Sequence, residues 1–224
     1  MIDKELQKRI LSSIILIPVS FFFIIQGSKT FIFFLSLIFL ATSFEWFKMT
    51  KHKDILRIFG LFFLFFSFFS TIYLRQHIGL NFFLFIVIVC IFTDTGGYIF
   101  GKTFKGPKLT KVSPKKTYSG VIGSFLISLL FGLIYIKYFG QKSKILMETD
   151  PIFIILLIIF ISLVSQIGDL IISYFKRKAK LKDTGKILPG HGGFLDRIDG
   201  IIFVMPITYL CLLTILTNKL DLIK

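Results

Sequence analysis

Pro151-Ile152-Phe153-Ile154-Ile155-Leu156-Leu157-Ile158-Ile159-Phe160-Ile161-Ser162-Leu163-Val164-Ser165-Gln166-Ile167-Gly168-Asp169 decides the fold. No charge occurs between Pro151 and Gly168. A helix rises about 1.5 Å per residue, so a run of this length crosses roughly 30 Å of hydrocarbon. Comparable apolar blocks recur along the chain, and they predict seven membrane spans at about 10–27, 30–46, 55–74, 80–100, 119–137, 151–173 and 200–217. The expected class is therefore all-α, a polytopic transmembrane helix bundle of about seven to nine spans joined by short loops.

Composition agrees. Of 224 residues 54% are hydrophobic, mean hydropathy is +0.83, and most of the 30 Phe lie within the apolar blocks. Cys90 and Cys211 fall inside such blocks, which implies packed thiols rather than a disulfide framework. Lys4, Lys8 and Arg9 ahead of the first block resemble a signal sequence, but no small-x-small cleavage site follows, so the block reads as a retained span. No loop is long enough to build its own soluble core, and the chain reads as one domain. Residues 1–90 are expected to supply membrane anchoring and packing, and most of the polar and glycine-rich stretches lie in residues 91–224.

The formal charge of +15 lies in the loops. With the N-terminus inside, segments 1–9, 47–57, 101–118 and 173–199 carry 3, 4, 6 and 7 Lys and Arg, which is 20 of the 27. The positive-inside rule then puts both long basic loops in the cytoplasm. That pattern suits anionic headgroups and anionic substrates, and not nucleic acid.

With only 12 acids, their positions carry information. A carboxylate inside a span costs several kcal/mol unless paired, hydrated or metal-bound, which marks Asp169 as functional. On helical spacing Ser165, Asp169, Ser173 and Lys176 form one polar stripe. Beyond it, Pro189, Gly190, Gly192 and Gly193 form a tight turn whose amides can converge on phosphate oxygens. Asp196 and Asp199 follow three apart, on one face of the helix entering the last span. Joined by Asp169, they would make a hard oxygen site suited to Mg²⁺. Lysines, arginine and Mg²⁺ around such a site describe phosphoryl or nucleotidyl transfer. His191 reads by default as an orienting hydrogen bonder. Gly96 to Thr103 formally matches a P-loop, but a membrane span precedes it, and close glycine packing is the plainer reading.

These residues resemble phosphatidate cytidylyltransferase, the CDP-diacylglycerol synthase family. Its signature is matched by Ser173, Phe175, Lys176-Arg177, Lys182-Asp183, Gly185, His191-Gly192-Gly193, Asp196-Arg197 and Asp199. A second block, Asp94 to Tyr98 with Gly101-Lys102, Lys108-Leu109, Ser113 to Thr117 and Gly120, also resembles the family, as does Ser165 to Asp169. The resemblance implies reaction of CTP with phosphatidate to give CDP-diacylglycerol and pyrophosphate, with Mg²⁺, in the inner membrane with the site facing the cytoplasm. It implies a catalytic set of Asp169, Asp196, Asp199, Lys182, Asp183 and His191, the first three holding metal. Substrate contacts fall on Asp94, Lys102, Ser113, Lys115, Lys116, Lys176, Arg177, Gly192, Gly193 and Arg197, and the family suggests a homodimer. A CTP-dependent lipid kinase would use similar groups but release CDP. A carrier of anionic lipid or nucleotide would show symmetric halves with broken helices, which this sequence lacks.

Overall fold

The computed structural model describes residues 4–51, 53–110, 113–190 and 192–221. The elements are α1 (Lys4–Gln26), α2 (Ser28–Met49), α3 (Asp54–Tyr73, prolonged by a π turn Leu74–Ile78), α4 (Leu80–Thr103), α5 (Tyr118–Phe139), α6 (Lys144–Glu148), α7 (Pro151–Lys178), α8 (Leu195–Ile198) and α9 (Ile201–Asp221). Five helices are long and apolar enough to cross a bilayer: α2, α3 with its π turn, α4, α5 with the 3₁₀ turn after it, and α7. Two apolar stretches, Leu11–Gln26 and Ile201–Thr214, are shorter. A helix thus occupies each of the seven expected places, while length and composition by themselves support five crossings.

The bundle has apolar side chains on its outside as well as its inside. Ile55, Phe59 and Phe62 point outward, while Ser67, Thr93, Ser128 and Ser162 are buried. Such a surface suits lipid, where polar groups must find partners between helices. Ser67 Oγ donates to Ile202 O at 2.7 Å, tying α3 to α9, and Ser124 Oγ donates to Thr93 O at 2.8 Å, tying α5 to α4.

At one end Arg75 donates to the carbonyls of Ile24 and Ile25, at 2.7 and 2.9 Å, satisfying the last turn of α1. Gly79, with φ of 113°, breaks the chain between the π turn and α4. At the other end Lys116, before α5, reaches Asp169 of α7. Thr184 and Phe194, after α7, bond Glu45 near the end of α2, and Ser12 Oγ of α1 donates to Pro189 O at 3.1 Å. The polar chemistry gathers there.

Candidate active site

One wall of the site is the α4–α5 seam, the closest helix pairing in the bundle. Gly96, Gly97 and Gly101 of α4 face Gly120, Gly123 and Ser124 of α5, and a Cβ on Gly96 would run into Gly123 O. Small residues on both faces let two backbones touch. The apparent P-loop therefore resolves into α4 itself, with its glycines spent on packing. Thr117 caps α5, its Oγ1 accepting from Gly120 N at 3.2 Å.

The polar stripe on α7 faces inward as its spacing predicts: Ser165, Ser173 and Lys176 are buried. Asp169 receives two partners. Lys116 Nζ lies 2.5 Å from its Oδ2, and Ser173 Oγ donates to its Oδ1 at 3.2 Å. Between α4, α5, α7 and the loop before α5 lies a cleft of about 290 Å³ lined by Asp94, Ser113, Lys115, Lys116, Gln166 and Asp169 among others. Residues of the second and third sequence blocks thus share one cavity. Asp94, from α4, also feels the charges of Asp169, Lys116 and Arg197.

Asp196 and Asp199 part company. Helix α8 ends at Ile198, and the chain turns at Asp199-Gly200 before α9 begins. Asp199 is turned toward α7, where Gly168 and Gly200 permit close approach: a Gly168 Cβ would lie 2.9 Å from Asp199 O, and a Gly200 Cβ would strike Ser165 Oγ. Its Oδ1 accepts from Gly200 N at 3.0 Å, and its carboxyl feels the charge of Asp169. Burial, and after it the Asp169 charge, push Asp199 well above the ordinary carboxylate range, with Lys176 pulling the other way.

Asp196 turns back into its own loop. Oδ1 accepts from Lys176 Nζ at 2.8 Å, while Oδ2 accepts from Thr184 N at 2.8 Å and Gly193 N at 3.0 Å and shares, at 3.0 Å, the one Thr184 hydroxyl proton with Glu45. Burial alone would raise this carboxyl, but the Lys176 ammonium and the amides outweigh it and hold it below its ordinary value. The expected convergence of Asp169, Asp196 and Asp199 on one cation is thus not the arrangement found. Both oxygens of Asp196 are taken by donors, and among the described residues no three His, Cys, Asp or Glu form a metal-binding group. The two acids were expected on one helical face; the break at Asp199-Gly200 separates them.

Of the remaining expected residues, Lys115 and Ser113 line the cleft with Lys116. Gly192, at φ of 86°, and Gly193 close the turn around Asp183, Thr184 and Asp196. Lys102 is exposed and lies over the Tyr98 ring. Arg177 donates to Leu181 O at 3.1 Å beyond the end of α7, outside the cleft. Lys182 and Asp183 are exposed. His191 lies outside the described residues.

Glu45 of α2 was not anticipated. It is 1% exposed, and its carboxylate accepts from Phe194 N, Leu195 N and Thr184 Oγ1 at 2.9, 2.9 and 2.8 Å. The signal that singled out Asp169, an acid within an apolar run, is equally present in Ala41 to Phe47.

The sequence pattern of the cytidylyltransferase family matches residues 55–215, which holds the cleft, α7 and the Asp196–Asp199 turn. The chain belongs to the cytidylyltransferase family. A phosphatidate cytidylyltransferase of Rickettsia conorii is 36% identical over 207 residues, covering 90% of this chain and 89% of that protein. One from Rickettsia felis is 34% identical over 213 residues, 92% of each. One from Staphylococcus saprophyticus is 38% identical over 145 residues, 64% of this chain and 54% of that protein. Glu45 precedes the residues that the cytidylyltransferase pattern covers.

Proposed function

We propose that this chain transfers CMP from CTP to phosphatidate, giving CDP-diacylglycerol and pyrophosphate. A phosphatidate oxygen attacks the α-phosphorus of CTP, and the bond to the β-phosphate oxygen breaks as pyrophosphate leaves. The observation that carries this reading is the cleft in which Lys115 and Lys116, from one basic loop, meet Asp169 of α7. Its cations suit a triphosphate, and its position at the end of a membrane bundle suits a lipid phosphate. Relatives named phosphatidate cytidylyltransferase over nine-tenths of the chain supply the substrate class.

Mg²⁺ belongs to the same proposal. Two neighbouring carboxylates, the buried Asp199 and the partly exposed Asp169, repel unless a proton or cation lies between them. Mg²⁺ is commonly held by one or two carboxylates together with substrate phosphates, so this pair fits without a third acid. When bound it would neutralise charge developing on the phosphates. Lys116 then exchanges Asp169 for the triphosphate, and Lys176, steadied by Asp196, stands beside Asp199 toward the lipid phosphate. A phosphomonoester has its second pKa near about 6, so the nucleophile is ionised at neutral pH and needs alignment more than a general base.

The reading includes seven spans, with α1 and α9 added to the five long helices, and a homodimer in the bacterial inner membrane. The site faces the cytoplasm, as the excess of basic residues in the loops around it favours. Purified protein in detergent, given CTP, phosphatidate and Mg²⁺, should form CDP-diacylglycerol and pyrophosphate in equal amounts. Release of CDP with a phosphorylated lipid would establish a kinase instead, and no turnover would reject the reading.

A further inference from the structure

We propose that Glu45 is a positioning residue, a remote cap on α8 that fixes where Asp199 and the Asp196–Lys176 pair stand. A carboxylate buried this deeply is costly unless its oxygens are satisfied. Glu45 is satisfied by one small region: the amides of Phe194 and Leu195 and the hydroxyl of Thr184. Those two amides open α8, whose N-cap residue, Phe194, offers no side-chain cap. Such amides need an acceptor. The acceptor arrives from another span, 149 residues away in sequence.

The same carboxylate reaches Asp196 through Thr184. The Thr184 hydroxyl lies 2.8 Å from Glu45 Oε2 and 3.0 Å from Asp196 Oδ2, while Thr184 N bonds Asp196 directly. A continuous chain therefore runs Glu45–Thr184–Asp196–Lys176 from α2 to α7. It has no slack. A Cβ on Gly185 would lie 2.6 Å from Glu45 Oε1, and one on Gly193 would strike both Thr184 Oγ1 and Glu45. Trp46, next in sequence, packs edge-on against Phe175 of α7 with centroids 5.2 Å apart, which holds α2 in place. Asp199 follows α8 directly, so the orientation of α8 sets its approach to Asp169.

The inference rests on the proposed reaction for its kinetics but not for its structural readout. Glu45→Gln keeps shape and replaces one acceptor oxygen by a donor group, and Thr184→Val removes the hydroxyl bridge. With CTP, phosphatidate and Mg²⁺, each should lower kcat per folded molecule at least tenfold and leave KM for CTP within about twofold, because the nucleotide cleft lies on α4, α5 and α7. The double variant should lose no more than the worse single, as expected for groups on one chain of contacts. Hydrogen–deuterium exchange should speed up in residues 192–199 of Glu45→Gln and stay unchanged in α4 and α5. Unchanged kcat per folded molecule in both singles, or exchange accelerated throughout the bundle, would overturn the positioning role. If Glu45→Gln fails to accumulate in membranes, Thr184→Val decides by the same two readouts. A wild-type enzyme making no CDP-diacylglycerol would sink the reaction, and the exchange comparison would still decide the role of Glu45.

Discussion

Lys116 reaches from the loop before α5 to within 2.5 Å of Asp169 in the C-terminal half of α7. Its ammonium stands beside one of two carboxylates that feel each other's charge. Replacing Asp169 or Asp199 by Ala should each lower CDP-diacylglycerol formation at least 100-fold, about 2.7 kcal/mol of barrier. EDTA should stop the wild type, and added Mg²⁺ should restore it. Turnover by both variants close to wild type would remove the pair from the chemistry.

Lys116 itself should act mainly on the nucleotide. Lys116→Ala is expected to raise KM for CTP about tenfold, near 1.4 kcal/mol, and to flatten the fall of kcat/KM with ionic strength. Steady-state kinetics between low and high salt provide the check. An unaltered salt response would place CTP elsewhere.

Asp196 makes a prediction about pH. Its folded carboxyl lies below the ordinary value, so its contribution to stability is complete above about pH 4, the unfolded value, and is lost as pH falls through the folded one. Both side chains of its pair with Lys176 are nearly buried, at 6% and 11% exposure, so breaking it should cost about 3 kcal/mol at pH 7. Asp196→Asn should therefore melt lower than wild type at pH 7 and approach it as pH falls below about 4. A constant gap in melting temperature across that range would contradict the assignment.

Gly123 tests the helix seam. A Cβ there would strike the Phe100 ring and lie 2.8 Å from Gly96 O, and backbone cannot step aside without parting the helices. Gly123→Ala should destabilise by about 1–3 kcal/mol, read as a lower thermal midpoint in detergent. No change would mean the two helices are free to separate.

Sidedness has its own readout. Lys186 is exposed in the loop that carries the site. In a background lacking Cys90 and Cys211, Lys186→Cys should react with a membrane-impermeant maleimide in inverted vesicles and stay protected in intact cells. The reverse pattern would turn the protein over.

Much of this was legible in the sequence, for identifiable reasons. Apolar blocks mark helices because the bilayer fixes their length, and the Asp169 stripe was readable because Ser165, Ser173 and Lys176 lie within the same helix. Asp196 and Asp199 misled because spacing assumes an unbroken helix, whereas the chain breaks between Ile198 and Ile201. Glu45 was missed for a different reason. Its partners lie 139 to 150 residues away, and no local pattern encodes a contact of that range.

The meeting of α4 and α5 through bare backbone has a consequence for how ligands are told apart. Side chains can swivel to admit a misfit, but main chain pressed on main chain cannot yield, so this flank of the cleft behaves as a stiff template. Accommodation of a different ligand must then come from the long side chains opposite, Lys115 and Lys116.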